Sequence, residues 1–191
     1  MQAHLEPHDL PPGVEIKRAT SDISSVTPSG IFEGYASLFG LIDAGRDEVV
    51  PGAFASSLMR RGASGVKMLW QHRAAEPIGQ WTSIEEDGRG LRVTGRLNLA
   101  VARAREVLAL MRERAVDGLS IGFKAGRSAI DRKTGIRRLY AVDLWEISVV
   151  TFPMLPQARI TAVKDARGDE ARLLRALQEG VRLMREKSLR A

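Results

Sequence analysis

The sequence predicts a β-barrel or a compact α+β domain with helices packed on its outside. Three observations lead there. Short apolar stretches recur, each bounded by Gly, Pro, Asp or Ser, as strands joined by tight turns require. Only two or three stretches carry the three-four spacing of an amphipathic helix. These helical stretches do not alternate regularly with the strands, which disfavours a wound parallel sheet built from βαβ units.

Taken in order, residues 1–13 form a flexible lead-in with Pro7, Pro11 and Pro12. Strands are expected at Val14–Ala19 and Ile31–Phe39, with a Ser/Thr/Pro/Gly loop between them. Pro51-Gly52-Ala53-Phe54 opens a short helix to about Arg61, with Phe54 and Leu58 on one face. Val66–His72 returns to a strand, on which the period of two sends Met68, Trp70 and His72 the same way. A hairpin follows: Ile78–Glu85, a turn at Asp87-Gly88, and Leu91–Leu97. Ala102–Ala115 is a helix with Ala104, Val107, Leu108, Met111 and Ala115 as its apolar stripe, and Gly118 ends it. Leu119–Ala125 is a strand, Asp131–Gly135 a turn, and Arg137–Thr151 a long apolar strand stopped by Pro153 and Pro156. A last short strand is expected at Ala158–Val163. Gly168–Leu189 is a charged helix whose Leu174, Leu177, Val181 and Met184 make an amphipathic seam. The chain therefore divides into a lead-in, one domain over 14–163, and a basic amphipathic tail over 164–191.

Composition narrows the function. An apolar share of 44% supports a real core, and with aromatics at 5% that core must be mostly aliphatic. The absence of cysteine excludes disulfide scaffolds, cysteine proteases and thiolate zinc sites. No run of eighteen apolar residues occurs and the first residues lack an apolar core, so neither a membrane span nor a signal peptide is expected. Half of the net charge of +6 lies in Lys164–Ala191, where eight basic residues face five acidic ones. Elsewhere the two signs are interspersed, so direct binding of nucleic acid is not expected. The tail is either a solvated helix face packed on its own domain or a docking surface for an acidic partner.

Three residues invite chemistry. Ser120 shares one strand face with Gly122, opposite the core face of Leu119, Ile121 and Phe123, and the glycine leaves room for a substrate backbone. His72 closes a strand and feeds a polar loop, where catalytic groups commonly sit. Glu146 lies in Val142–Val150, an apolar segment in which an ionised carboxylate needs a partner. His72 would serve, and so would any of many arginines. On residue chemistry alone a Ser–His–Glu set is allowed but not required, since a solvent-facing serine, a structural histidine and a salt-bridged glutamate explain the same residues. No second histidine outside the lead-in and no cysteine joins His72, so no metal or other cofactor is expected.

Four motifs add to this reading. Phe32-Glu33-Gly34-Tyr35-Ala36-Ser37-Leu38-Phe39 is followed by Asp47-Glu48-Val49-Val50-Pro51-Gly52-Ala53-Phe54. Lys67-Met68-Leu69-Trp70-Gln71-His72 precedes Pro77-Ile78-Gly79. Asp117-Gly118-Leu119-Ser120-Ile121-Gly122-Phe123 carries the serine, and Asp143–Pro153 carries the glutamate. Over Val14–Val163 the chain resembles the prohead proteases of tailed phages. The resemblance implies a mostly antiparallel β-barrel ringed by helices, like the herpesvirus assembly protease. It implies a serine endopeptidase with Ser120 as nucleophile, His72 as base and Glu146 in the place of the second histidine of the herpesvirus enzymes. It further implies action inside assembling procapsids in the bacterial host, on the major capsid protein or scaffold, with self-cleavage, and it leaves room for a homodimer. The paired-arginine motif of the herpesvirus enzymes is missing here, so the backbone N–H groups of Met154 and Leu155 and the side chain of Arg159 are the remaining oxyanion candidates. The competing reading is a catalytically silent scaffold or capsid component of the same fold.

Overall fold

The structure, a computed structural model, describes residues 30–163. The strand expected at Val14–Ala19 and the helix expected at Gly168–Leu189 lie outside the described residues.

Along the chain run β1 (Ile31–Leu38), β2 (Asp47–Val49), α1 (Ala55–Gly65), β3 (Lys67–Trp70), β4 (Arg73–Glu86) and β5 (Gly90–Leu97). Then come α2 (Ala102–Arg112), β6 (Gly118–Ala125), β7 (Ser128–Ile130), β8 (Arg137–Leu139), β9 (Val142–Val150) and β10 (Ile160–Val163). Seven strands form one curled sheet in the order β10-β1-β5-β4-β3-β9-β6, and β2-β8-β7 form a small second sheet. Most neighbours are antiparallel, but β3 lies parallel to β9 and β2 parallel to β8. The edges of the large sheet touch at one corner, where Leu119 N–H donates to Ala158 O at 2.9 Å and Ile160 N–H to Asp117 O at 2.8 Å.

Alternation in β5 buries Leu91, Val93 and Leu97 against Ile78, Trp81 and Ile84 of β4, whose spacing of three is taken up by irregularities in its register with β3 and β5. Phe32 meets Trp81 edge to face at 5.5 Å. Helix α2 closes this core with Ala104, Val107, Leu108 and Met111, four of the five residues of its expected stripe. Apart from Phe32, Phe54 and Trp81, the buried core is aliphatic with Met68 and Met111. Two helices, not a ring of them, pack outside the sheet among the described residues.

Several elements differ from expectation, each for a local reason. The strand leading to His72 stops at Trp70, because Trp70 pairs with Arg73 and leaves Gln71-His72 as a two-residue loop. The long strand Arg137–Thr151 breaks at Tyr140-Ala141, whose N–H groups both turn to Arg127 O, so β8 and β9 belong to different sheets. Helix α1 bends where Gly62 takes φ +61°, a conformation that suits glycine, close to the predicted end at Arg61. Helix α2 ends early at Arg112, through left-handed Arg114 rather than Gly118, with Ala115 N–H returning to Leu110 O at 2.9 Å.

Strand β9 carries the irregularity that matters most. Leu144 and Ile147 are both fully buried although they stand three apart, which regular alternation forbids. A bulge resolves this: Gly122 pairs with Glu146 and Phe123 with Leu144, leaving Trp145 as the extra residue. Helix α1 fastens the bulged end, since the buried Ser57 hydroxyl accepts Leu144 N–H at 2.9 Å. Arg61 grips Asp143 with Nε at 3.1 Å and Nη2 at 2.9 Å, Arg60 adds a third bond, and Arg61 also stacks 4.1 Å over Trp145.

The Arg61 guanidinium, opposed by desolvation and helped by Arg60, holds the Asp143 carboxyl down at about 2. Because this lies below the ordinary carboxylate value, the ionised form stabilises the fold above about pH 4, and that contribution disappears as pH falls towards about 2. Asp143→Asn is therefore expected to lower the melting temperature at neutral pH, with the difference from wild type closing between those limits. Thermal scans across the acid range measure it; a difference independent of pH would refute this origin.

Candidate active site

The imidazole of His72 is delivered by a turn. Gln71 and His72 have φ of 52° and 58°, the two positive values of a tight hairpin turn, at positions where Asn-Gly is usual. Left-handed backbone at a non-glycine residue costs about 1–2 kcal/mol, so other contacts must hold it. Gln71 N–H donates to Val149 O at 3.0 Å, and the Gln71 side-chain amide donates to Thr151 Oγ1 at 2.8 Å. His72 N–H donates to Ser148 Oγ at 3.0 Å. All three acceptors belong to β9 or to the residue after it, so the parallel neighbour of β3 clamps the turn.

This places His72 Nδ1 2.6 Å from Glu146 Oε1, with the histidine side chain 43% exposed and the glutamate 14%. Ser148 Oγ donates to the other carboxylate oxygen, Oε2, at 2.6 Å. No arginine pairs with Glu146 among the described residues. An ionised carboxylate can only accept, so Nδ1 carries the proton and the lone pair of the ring is on Nε2.

Ser120 sits directly across β6 and β9 from Ser148 and is 4% exposed. It shares its strand face with Gly122, where an added Cβ would stand 2.1 Å from Glu146 Oε1. Gly122, offered by the sequence as room for a substrate, is filled by the carboxylate instead. The structure thus joins His72 to Glu146 and sets Ser120 on the same face of the sheet. No hydrogen bond links the Ser120 hydroxyl to His72 among the described residues.

Ser120 also lines a cavity of about 350 Å³ with Phe123, Leu139, Met154 and Leu155. At its rim Asp47 is bound by Arg137 Nε at 2.7 Å, while burial pushes the Asp43 carboxyl up. The N–H groups of Met154 and Leu155 donate to no described backbone carbonyl. Arg159, an oxyanion candidate by sequence, has its guanidinium engaged elsewhere: Nε donates to Pro156 O at 2.7 Å and Nη1 pairs with Asp117. It ties the approach to β10 to the start of β6.

Sequence reasoning missed Ser148 and the Gln71–Thr151 contact. A lone hydroxyl in Ile147–Val150, and the three-residue spacing of Leu144 and Ile147, were the available signals.

A family model described as Caudovirus prohead serine protease matches residues 15–171, and the chain belongs to that family. It is 39% identical over 145 residues to the prohead protease of Enterobacteria phage HK97, covering 74% of this chain and 63% of that protein. A second relative, the capsid polyprotein of Pseudomonas phage PAJU2, is 34% identical over 106 residues, covering 52% of this chain and 16% of the polyprotein. The chain spans less than two thirds of the length of either. Among solved structures, the bacteriophage T4 capsid assembly protease superposes with a TM-score of 0.52 at 12% identity, over 64% of this chain and 82% of that one. That likeness is one of fold.

Because Gly122 has no room for a methyl group, Gly122→Ala is expected to push the Glu146 carboxylate off the imidazole while the sheet stays intact. Loss of the low-field proton signal of the His72–Glu146 bond in NMR, with an unchanged circular dichroism spectrum, checks this. A retained signal would mean that the carboxylate shifts without releasing the ring.

Proposed function

We propose that the chain is a serine endopeptidase that cleaves a capsid or scaffold protein as a procapsid matures, with Ser120 as nucleophile, His72 as general base and Glu146 as the group that orients the base. The observation that carries this is the 2.6 Å contact between His72 Nδ1 and Glu146 Oε1 on the sheet face that bears Ser120. It distinguishes the site from a surface histidine beside a solvated serine. Membership of the prohead protease family supports the reaction class, and the relatives named prohead protease and capsid polyprotein support the substrate class.

In this mechanism the Ser120 hydroxyl attacks the scissile carbonyl while His72 Nε2 takes its proton. Glu146, bonded to Nδ1–H, fixes the tautomer and offsets the charge of the imidazolium. The imidazolium then protonates the leaving amine, an acyl enzyme remains on Ser120, and water activated by the same Nε2 releases it. The N–H groups of Met154 and Leu155, beside Ser120 in the cavity, are the proposed donors to the oxyanion. Strand β6 is the last strand of its sheet, and beyond Leu119 its outer edge has no described partner. An extended substrate segment can add to that edge with its carbonyl at Ser120 and a side chain in the cavity. Self-cleavage belongs to the same proposal, since a segment of the chain itself is a substrate of the same extended kind.

Ser120→Ala is expected to stay folded and to lose roughly six orders of magnitude in cleavage rate. Glu146→Gln should lose roughly four orders through the wrong tautomer. Co-expression with the capsid or scaffold protein, read on a gel, gives the qualitative answer, and a peptide assay gives the rates. Normal trimming by Ser120→Ala would end the proposal and favour a silent assembly component.

A further inference from the structure

Ser148 is completely buried on β9, between the core residues Ile147 and Val149, where packing alone would be served by alanine. A hydroxyl at such a place is costly unless both its donor and its acceptor capacity are used. Both are. Its oxygen accepts His72 N–H at 3.0 Å, and its proton goes to Glu146 Oε2 at 2.6 Å. The direction of each bond follows from chemistry, because a backbone N–H can only donate and an ionised carboxylate can only accept.

We infer that Ser148 is a positioning residue for the His72–Glu146 pair, a role that rests on the function proposed above. With Oε2 held by Ser148 and Oε1 held by Nδ1, both oxygens of the carboxylate are committed, and rotation of the carboxylate breaks two charge-assisted bonds at once. The same hydroxyl satisfies the amide of a residue whose φ is 58°, and so helps hold the turn on which the imidazole is mounted. One side chain therefore sets both the angle of the ring and the angle of the group that orients it. Being 0% exposed, it is out of reach of a substrate.

The test measures kcat and KM on a peptide substrate for wild type, Ser148→Ala, Glu146→Gln and the double variant, with Ser120→Ala as the inactive reference. Ser148→Ala is expected to lower kcat by about 10- to 100-fold, the loss of charge-assisted bonding, with KM unchanged. In the Glu146→Gln background the same substitution should cost clearly less than in wild type, because only the bond to the His72 amide is left to lose. A wild-type kcat in Ser148→Ala, or a full second loss in the double variant, overturns the inference. If Ser148→Ala does not fold, Ser148→Cys, which keeps the volume but donates weakly, takes its place with the same expectation and the same refutation. An active Ser120→Ala would instead strike down the function proposed above, so the two failures are distinguishable.

Discussion

A polar junction lies in the middle of an apolar strand: the carboxylate of Glu146 receives the His72 ring on one oxygen and the Ser148 hydroxyl on the other. Buried charge of this kind is tolerated only when every lone pair facing the protein is matched. That requirement constrains much around it. Gly122 must lack a side chain so that the carboxylate has space, β9 must bulge at Trp145 so that Leu144 stays in the core while Glu146 and Ser148 face the other way, and His72 must leave its strand in a left-handed turn. Ser57, Arg60 and Arg61 on α1 then hold the bulged end of β9 to the helix. A helix on the outside of the sheet thus supports a contact one residue beyond its own reach.

The place of β9, next to the last strand of the large sheet, explains how the sheet sustains this. β9 lies between β3, which runs parallel to it, and β6, which runs antiparallel. One neighbour brings the histidine and the other the serine, and β9 itself supplies the glutamate. Ser120 and Glu146 are held by backbone ladders, and His72 by a two-residue turn that hydrogen bonds fasten to β9.

How far this was legible in the sequence depends on the range of the forces involved. The hairpin of β4 and β5 and the stripe of α2 were readable because alternation and three-four spacing are local. Ser120, His72 and Glu146 were readable as odd polar residues in apolar settings and as parts of a family resemblance, but their contacts were not. The turn at Gln71-His72 gave no warning, because neither residue is Gly, Asn or Asp and the strain is relieved by β9, more than seventy residues away. The break at Tyr140-Ala141 was hidden in a continuous apolar run and is caused by hydrogen bonds to Arg127. The bulge was readable in principle, since Leu144 and Ile147 cannot both face the core of a regular strand.

The parallel pairing of β3 with β9 has a kinetic consequence. Hairpins such as β4–β5 close over a few residues, whereas Lys67 meets Glu146 only after β4, β5, α2, β6, β7 and β8 have been enclosed between them. Contacts of such long sequence separation carry the largest loop-closure entropy and are slow to form. A nascent chain therefore contains His72 and Ser120 before it contains Glu146, and the contact of His72 with Glu146 comes into being with the completion of the sheet. Under the proposed mechanism, reactivity and foldedness are thereby coupled by topology.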